Sequence, residues 1–381
     1  MRIGIIGGGQ LARMTAQAAP GEGCAVSVVE RAGGSPAGQI VGSAEIVGDW
    51  RQEAVRARLL TTSDAIVLEN EFIDPAALAW FERRGCPVFP SASVLAVIQD
   101  KLTQKQMLQA AGVPVADFVP IASVDDVRRA GEAWGFPIVV KARRNGYDGY
   151  GNMTLRRGDD FDAALDRLGG GTGAGGPGGL YAERWVPFVS ELATIVAIGT
   201  GGETTLYPIA ATTQEDHICH EVIAPAPIDA ASIDRAIAVA RGAAAASGAV
   251  GLLAVEMFLL GDGQVLANEL APRPHNSGHY TIEACATSQF ANLCRIASGR
   301  TPGPTTMVRG GAAMVNLLGT TSGAAKPTGL SAAGAVPDFF VHIYGKAEVR
   351  RGRKMGHVTA LADSPVDALE RARAAARMIG W

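Results

Sequence analysis

The chain has 381 residues, 48% of them apolar and 19% charged, with 34 Lys plus Arg against 37 Asp plus Glu for a formal net charge of −3. That length exceeds one comfortable hydrophobic core and predicts two or three domains, while the apolar content excludes wholesale disorder. The balanced charge gives no global attraction to nucleic acid or anionic lipid, so any anion site must be local. The longest uncharged apolar stretch, Gly242 to Val255, falls short of the roughly 20 residues that cross a bilayer. With no leader-like apolar core at the N-terminus, the expectation is a cytoplasmic protein without membrane or nucleic-acid partners. Five cysteines (Cys24, Cys86, Cys219, Cys285, Cys294), odd in number and lacking a C-x-x-C pair, read as small hydrophobes rather than a disulfide or zinc framework.

In chain order, Arg2–Ile6, Ala25–Glu30 and Ala65–Leu68 read as short apolar strands alternating with helically spaced stretches at Leu11–Ala18 and Gln52–Leu60. This predicts a parallel sheet with helices on its faces, closed by a last strand at Cys86–Pro90. Ser93–Gln109 reads as one long helix leading out of that domain. A helix at Val124–Trp134, a strand at Ile138–Lys141 and a glycine loop predict a small α+β lid. Glycine dominates Gly169–Gly179, which reads as a flexible surface insertion. Strands then prevail to Ile223, followed by a helix over Ala230–Ser247, short C-terminal strands and an amphipathic helix over Pro365–Ile379.

Gly7-Gly8-Gly9-Gln10 directly follows the first strand, and Glu30 closes the second, as in a dinucleotide fold. The same turn suits any phosphate, or none. A sharper signal lies at Gly261-Asp262-Gly263, which separates two apolar strands, since Asp-Gly favours a two-residue hairpin loop. With that loop, counting outward sets Glu256 opposite Glu269. Opposed like charges about 4.5–5.5 Å apart at Cβ destabilise a strand pair unless a cation lies between them, which predicts a Mg²⁺ site. Lys141 ends an apolar strand ahead of Arg143, Arg144 and the loop Gly146-Tyr147-Asp148-Gly149-Tyr150-Gly151, whose backbone amides could face phosphate. Glu183-Arg184-Trp185-Val186 and Glu191 could offer backbone groups to an adenine edge and a carboxylate to ribose, though any strand would look the same. Arg273, His275 and Asn276, just after Glu269, could hold a small planar oxyanion and move a proton. Lys346, Arg350, Arg351, Arg353 and Lys354 form a basic cluster that fits either a solvated edge or a phosphate site. His217 and His220, flanking Cys219, lack a third ligand and read as ordinary strand residues.

Together these segments resemble the ATP-grasp superfamily and, within it, the N5-carboxyaminoimidazole ribonucleotide synthetase family of purine biosynthesis. The resemblance spans nearly the whole chain. It rests on Gly7–Leu11, Asp100–Lys105, Gly146–Gly149, Asn268–His279 and Gly352–His357. It implies a Rossmann-like domain over residues 1–100, an ATP-grasp domain over 101–300 with a mobile lid at about 112–180, and a small β-rich C-terminal domain over 301–381. It also implies that ATP phosphorylates bicarbonate to carboxyphosphate, which carboxylates 5-aminoimidazole ribonucleotide with release of ADP and phosphate. By matching position, Lys101 and Lys141 would hold ATP phosphates, with Tyr147, Gly149 and Asn268 beside the nucleotide. Glu183 and Val186 would hold the adenine, Glu191 the ribose, and Glu256 and Glu269 Mg²⁺. Arg273, His275 and Asn276 would hold bicarbonate, with His275 the proton carrier. Tyr147 and catalytic Asp148 would orient the ribonucleotide, Lys346, Arg353 and Lys354 would hold its phosphate, and Gln10 and Glu71 are further substrate candidates. The family also suggests a homodimer. Family members often carry a basic residue and a glutamine where this chain has Tyr150 and Asn152, with Arg143 and Arg144 adjacent. Three rivals remain: a formate-dependent glycinamide ribonucleotide transformylase, an NAD-dependent oxidoreductase built on the glycine turn, and a non-catalytic nucleotide sensor.

Overall fold

The computed structural model describes residues 1–146, 151–170, 179–334 and 337–381. The loop residues Tyr147, Asp148, Gly149 and Tyr150, and most of the glycine-rich segment at 169–179, lie outside the described residues.

The N-terminal strands β1 (Arg2–Ile6), β2 (Ala25–Glu30), β3 (Glu45–Val47), β4 (Ala65–Leu68) and β5 (Val88–Phe89) form a parallel sheet in the order β3-β2-β1-β4-β5. β1 and β4 are almost continuously apolar because helices cover both faces of such a sheet. The expected long helix over Ser93–Gln109 is instead two helices, Ala92–Gln99 and Lys101–Ala110, broken at Asp100. Asp100 adopts an extended backbone, and its carboxylate accepts the Thr103 amide at 3.2 Å, starting the second helix afresh. Periodicity continues across the break because both helices bury the same side, which is why pattern alone joins them.

The lid is an antiparallel sheet of β6 (Phe118–Ile121), β7 (Ile138–Ala142), β8 (Asn152–Leu155) and β9 (Leu180–Arg184), ordered β6-β9-β7-β8. Its helix Val124–Trp134 begins with a capping box between Ser123 and Asp126. Ile121, Val127, Ile138, Val140 and Leu155 give the lid a core of its own.

A nine-stranded sheet follows: β10 (Phe188–Ile198), β11 (Thr204–Leu206), β12 (Ala210–Glu215), β13 (Ile218–Ala224), β14 (Gly251–Leu260), β15 (Val265–Ala271), β16 (Gly311–Leu318), then β18 (Phe339–Ile343) and β20 (Lys354–Ala362). Its order is β15-β14-β10-β12-β13-β16-β20-β18, with β11 beside β10. The C-terminal strands therefore extend the central sheet, while β17 (Gly323–Ala324) and β19 (Glu348–Val349) make a separate ribbon. The terminal helix runs Pro365–Ala376, ending short of Ile379, where the chain turns to pair Gly380 with Thr328. Ile3, Ile5 and Val67 of the first sheet share one buried cluster with Ala197, Tyr207, Leu252 and Cys294. All five cysteines are free, and four are buried. Among the described residues no helix is long and apolar enough to cross a membrane.

The β14–β15 hairpin has the expected pairing of Glu256 with Glu269, reached by a different route. The loop has three residues, Gly261 to Gly263, with Leu260 N–H bonded to Gln264 O at 2.9 Å and Gly263 at φ +82°. Pairs from Leu259↔Val265 to Met257↔Ala267 are thus shifted by one from the two-residue count. A bulge at Asn268 restores the register, so Glu256 still meets Glu269. His217, expected on a strand, sits instead in the two-residue turn between β12 and β13, where Asp216 and His217 have φ of 50° and 64°. Backbone there is left-handed, which strand pattern cannot announce.

Candidate active site

Lid, central sheet and N-terminal domain enclose a cavity of about 350 Å³. Its lining includes Lys101, Lys141, Glu183, Val186, Glu191, Glu256, Asn268, Glu269, Arg273, His275, Asn276, Glu71 and Lys354. Thirteen positions singled out in the sequence, drawn from segments far apart in the chain, thus meet in one place. A second cavity of about 350 Å³, lined partly by Arg31, Trp50, Phe72 and Arg144, shares Glu71, Lys101 and Glu269 with the first.

One end of the cavity is apolar. Trp185, Val186, Val139 and Met153 line it, with Phe188 and Phe258 stacked at 4.6 Å and 6° between planes. Such a slot suits a flat heteroaromatic ring. Glu183, at its edge, is buried and accepts from Lys141 Nζ at 2.7 Å and faces Lys105 Nζ at 3.1 Å. Burial alone would raise its pKa, yet the two lysines hold it down at about 2. Its side chain is therefore committed to lysine. Glu191 keeps a raised pKa from burial, partly offset by a hydrogen bond from Gln214, which also lines the cavity.

The carboxylates define the middle. Lys101 Nζ lies 2.9 Å from Glu269, and although burial opposes its charge, Glu269, Glu256 and Glu71 raise its pKa. Lys101 occupies this position because the break at Asp100 starts a new helix there. Burial, then Glu269 and Glu191, push the Glu256 carboxyl up to about 7. The bulge turns Asn268 into the same cavity, and its buried Oδ1 has no hydrogen-bond partner among the described residues. Two close carboxylates and an orphaned amide oxygen form an all-oxygen set of the kind hard divalent cations accept.

At the far end the chain leaves β15 into Arg273, His275 and a short turn at Asn276–Gly278. Arg273 makes a two-pronged pair with Glu71, Nη2 to Oε1 at 2.7 Å and Nε to Oε2, and donates from Nη1 to Pro274 O at 3.1 Å. Glu71 is thereby held at about 2, burial notwithstanding. His275 Nδ1 lies 2.9 Å from Ser277 Oγ and Nε2 3.4 Å from Glu256 Oε1. Burial, Arg273 and Lys354 lower the imidazole to about 3, so it is neutral and acts first as a hydrogen-bonding group. An anion bound beside it would raise its basicity. Asn276 is paired amide to amide with Asn316, at 2.6 and 3.1 Å.

Gln10, Lys346 and Arg353 do not line this cavity. Lys346 Nζ donates to Lys354 O at 2.6 Å, and the neighbouring Gly345 O accepts from Gln39 Nε2 at 2.7 Å, docking the loop near the helix that Gln10 begins. Arg353 turns away, donating to Glu348 O at 2.8 Å, while Lys354 faces the main cavity. Arg143, offered as a substitute lid charge, is bound by Asp100 through Nε at 2.9 Å and Nη2 at 2.5 Å. Glu30, the residue a dinucleotide ribose would need, instead accepts the Gly8 amide at 2.9 Å. The Glu69 carboxylate fills the mouth of the glycine turn, accepting the Leu11 amide and lying 2.2 Å from where a Gly9 Cβ would stand. That turn is closed on itself.

Lys105, Gln214, Ser277 and Gln289 escaped the sequence reading. Lys105 and Ser277 lie inside the segments Asp100–Lys105 and Asn268–His279, but their roles come from the fold, as when Lys105 Nζ reaches Ala267 O at 3.2 Å, and Gln214 and Gln289 lie in no motif.

A lid, an antiparallel sheet carrying paired carboxylates, and lysines from both define an ATP-grasp enzyme, a ligase that uses ATP. Family models for a ribonucleotide synthetase preATP-grasp domain, an ATP-grasp domain and a phosphoribosylaminoimidazole carboxylase C-terminal domain match residues 1–99, 106–290 and 312–371. The N5-carboxyaminoimidazole ribonucleotide synthase of Synechococcus elongatus is 37% identical, over 99% of this chain and 93% of that protein. The phosphoribosylaminoimidazole carboxylase of Schizosaccharomyces pombe is 38% identical over 95% of this chain, which spans 65% of that longer protein. The crystal structure of the Aspergillus clavatus synthase in complex with ADP and 5-aminoimidazole ribonucleotide superposes with a TM-score of 0.88 at 33% identity, covering 99% of this chain and 98% of that one. The chain belongs to the N5-carboxyaminoimidazole ribonucleotide synthase family.

Proposed function

We propose that the chain carboxylates 5-aminoimidazole ribonucleotide with bicarbonate at the expense of ATP, releasing ADP and phosphate through carboxyphosphate. The carrying observation is that Glu256, Glu269 and Lys101 stand in one cavity with Arg273 and His275. A nucleotide's phosphates would thus reach Arg273 and His275, groups suited to hold a small planar oxyanion such as bicarbonate.

In this reading the adenine enters the slot of Trp185, Val186 and Phe188, Glu191 takes the ribose, and Lys101 and Lys141 hold phosphates. Glu183 acts by fixing Lys141. Glu256, Glu269 and Asn268 would hold Mg²⁺, which supplies charge screening for phosphoryl transfer when bound. Lys101 then exchanges part of its contact with Glu269 for phosphate oxygen. Arg273 and His275 donate hydrogen bonds to bicarbonate oxygens. The neutral imidazole becomes a proton acceptor as negative charge accumulates next to it. The lid excludes water, which would otherwise destroy carboxyphosphate. Tyr147 and Asp148 would orient the ribonucleotide, with Tyr147 and Gly149 also contacting the nucleotide, while Lys346, Arg353 and Lys354 would hold the ribonucleotide phosphate and Glu71 and Gln10 its ring. We divide the chain at about residues 100 and 300, and place it in the cytoplasm as a homodimer. A light-scattering mass of one chain would remove the dimer.

The test is ADP release from the purified protein with Mg-ATP and bicarbonate, with and without 5-aminoimidazole ribonucleotide. Stimulation by the ribonucleotide and stoichiometric carboxylated product are expected. Unstimulated release with no product would defeat the reading, and stimulation by formate plus glycinamide ribonucleotide would replace it.

A further inference from the structure

Gln289 is fully buried at the first position of the helix Gln289–Ala297, and its amide does not reach the cavity. Its Oε1 accepts the His275 backbone N–H at 2.9 Å, and its Nε2 donates to the His275 carbonyl at 2.8 Å. The second Nε2 hydrogen faces His279 Nδ1 at 3.1 Å. A side-chain amide here does what a neighbouring strand would do, holding both polar backbone groups of one residue. The arrangement also fixes which end is which, because a flipped amide would set oxygen against the His275 carbonyl. Gln289 is itself pinned: its backbone N–H donates to Thr281 Oγ1 at 3.0 Å, and Thr281 Oγ1 donates to Gly278 O at 2.6 Å. The amide packs on Gly278, where a Cβ would fall 2.9 Å from Gln289 Cδ and 2.8 Å from Ile195 Cγ1. The short turn that follows supports only the carbonyl, to which Gly278 N–H donates at 3.0 Å, so among the described residues the His275 N–H rests on Gln289.

Resting on the reading of His275 proposed above, we infer that Gln289 is the positioning residue for the reaction: by clamping the His275 backbone it holds the imidazole between Ser277 and Glu256, and so sets the geometry of the bicarbonate pocket. His279 backs the clamp and never enters the cavity. It is fully buried, with its own pKa pressed well below the ordinary value by burial and by His275, His342, Lys354 and Arg273, so it remains a neutral acceptor for the amide. A misplaced reacting group of this kind costs about 10- to 100-fold in turnover.

Gln289→Leu and Gln289→Glu test the inference in the full-length enzyme. In Gln289→Leu, turnover of the ribonucleotide-dependent reaction falls about 10- to 100-fold while the KM for ATP stays within about twofold, because the groups that would hold ATP sit on other elements. Gln289→Glu carries a built-in control. Its neutral carboxyl keeps an acceptor for the His275 N–H and a donor for the His275 carbonyl, whereas its ionised form sets a negative oxygen against that carbonyl and His279 Nδ1. Activity relative to wild type therefore recovers as the pH is lowered from about 8 to about 6, the range into which burial moves a glutamic acid. Wild-type turnover in Gln289→Leu, or a parallel rise in the KM for ATP, overturns the inference. A flat activity ratio in Gln289→Glu overturns it even where Gln289→Leu does not fold. Failure of the underlying reaction shows in the wild-type protein, as no ribonucleotide-dependent ADP. The clamp is then judged from the imidazole resonances of His275, which must move in either variant and, if unmoved, refute it.

Discussion

Glu256 sits at the point of greatest electrostatic conflict. Its pKa rises from 4.5 to about 7 because burial and the facing carboxylates Glu269 and Glu191 all disfavour its charge. A carboxyl with a higher pKa folded than unfolded contributes stability fully below the unfolded value and loses it as pH climbs through the folded one. The metal-free protein therefore loses stability through Glu256 between about pH 4.5 and pH 7. As the side chain retains 31% of its surface, screening reduces the effect to about 1–2 kcal/mol. Glu256→Gln should thus be more stable than wild type at pH 8 by that amount, equal to it near pH 4, and inactive with Mg-ATP. Chemical denaturation at the two pH values checks this, and an equal difference at both would refute the conflict. That both carboxylates lie on the two strands of one hairpin was legible because the Asp-Gly turn and strand alternation are local, although the exact pairing rested on a loop length that the structure corrects. The Lys105–Glu183 and Gln289–His275 contacts were not legible, because burial chooses those partners across the fold.

At the scale of elements, the break at Asp100 matters most. One carboxylate caps the helix that carries Lys101 and binds Arg143 at the end of β7, while Lys101 N–H donates to Arg143 O at 2.8 Å. The lid is therefore tied through one residue to Lys101, the lysine proposed to hold ATP phosphate. Asp100→Ala should cost about 1–3 kcal/mol, from cap and ion pair together, and raise the KM for ATP. Ser123→Ala, which removes a cap inside the lid, should cost about 1 kcal/mol and leave that KM alone. Steady-state kinetics with denaturant unfolding separate the two, and identical kinetics would dissolve the proposed tie. Most elements followed from local pattern, and the helix Ala230–Ser247, opened by the Asp229 cap, had both ends in the sequence. The hairpin shows where such reading ends. A one-residue difference in loop length reverses every side chain along a strand, and only the bulge at Asn268 cancels it. Loop length and bulge leave no separate trace in hydrophobic alternation, so the right pair came from a wrong count.

Across the whole molecule, the three parts share burial rather than merely adjoining. The cluster joining Ile5 and Val67 to Leu252 and Cys294 fixes the first sheet against the central one, while the lid keeps a separate core. The C-terminal strands complete the central sheet, and from them the loop Tyr344–Lys346 reaches back to Gln39 of the N-terminal domain. Lys346 therefore stands at the junction of first and last domains, with Glu69 within electrostatic reach and the main cavity lying elsewhere. If ribonucleotide phosphate binds at this junction, Lys346→Ala should raise the ribonucleotide KM about 10- to 100-fold, the loss of one or two charge-assisted hydrogen bonds. The KM for ATP should not change, since no group lining the nucleotide slot is touched. Because phosphate attraction is screened by salt, the difference between variant and wild type should shrink as ionic strength rises. A parallel rise in both constants would mean that Lys346 merely holds the domains together. An unchanged ribonucleotide KM would move the phosphate to the second cavity, where Arg31 and Arg144 would then be the cations to replace.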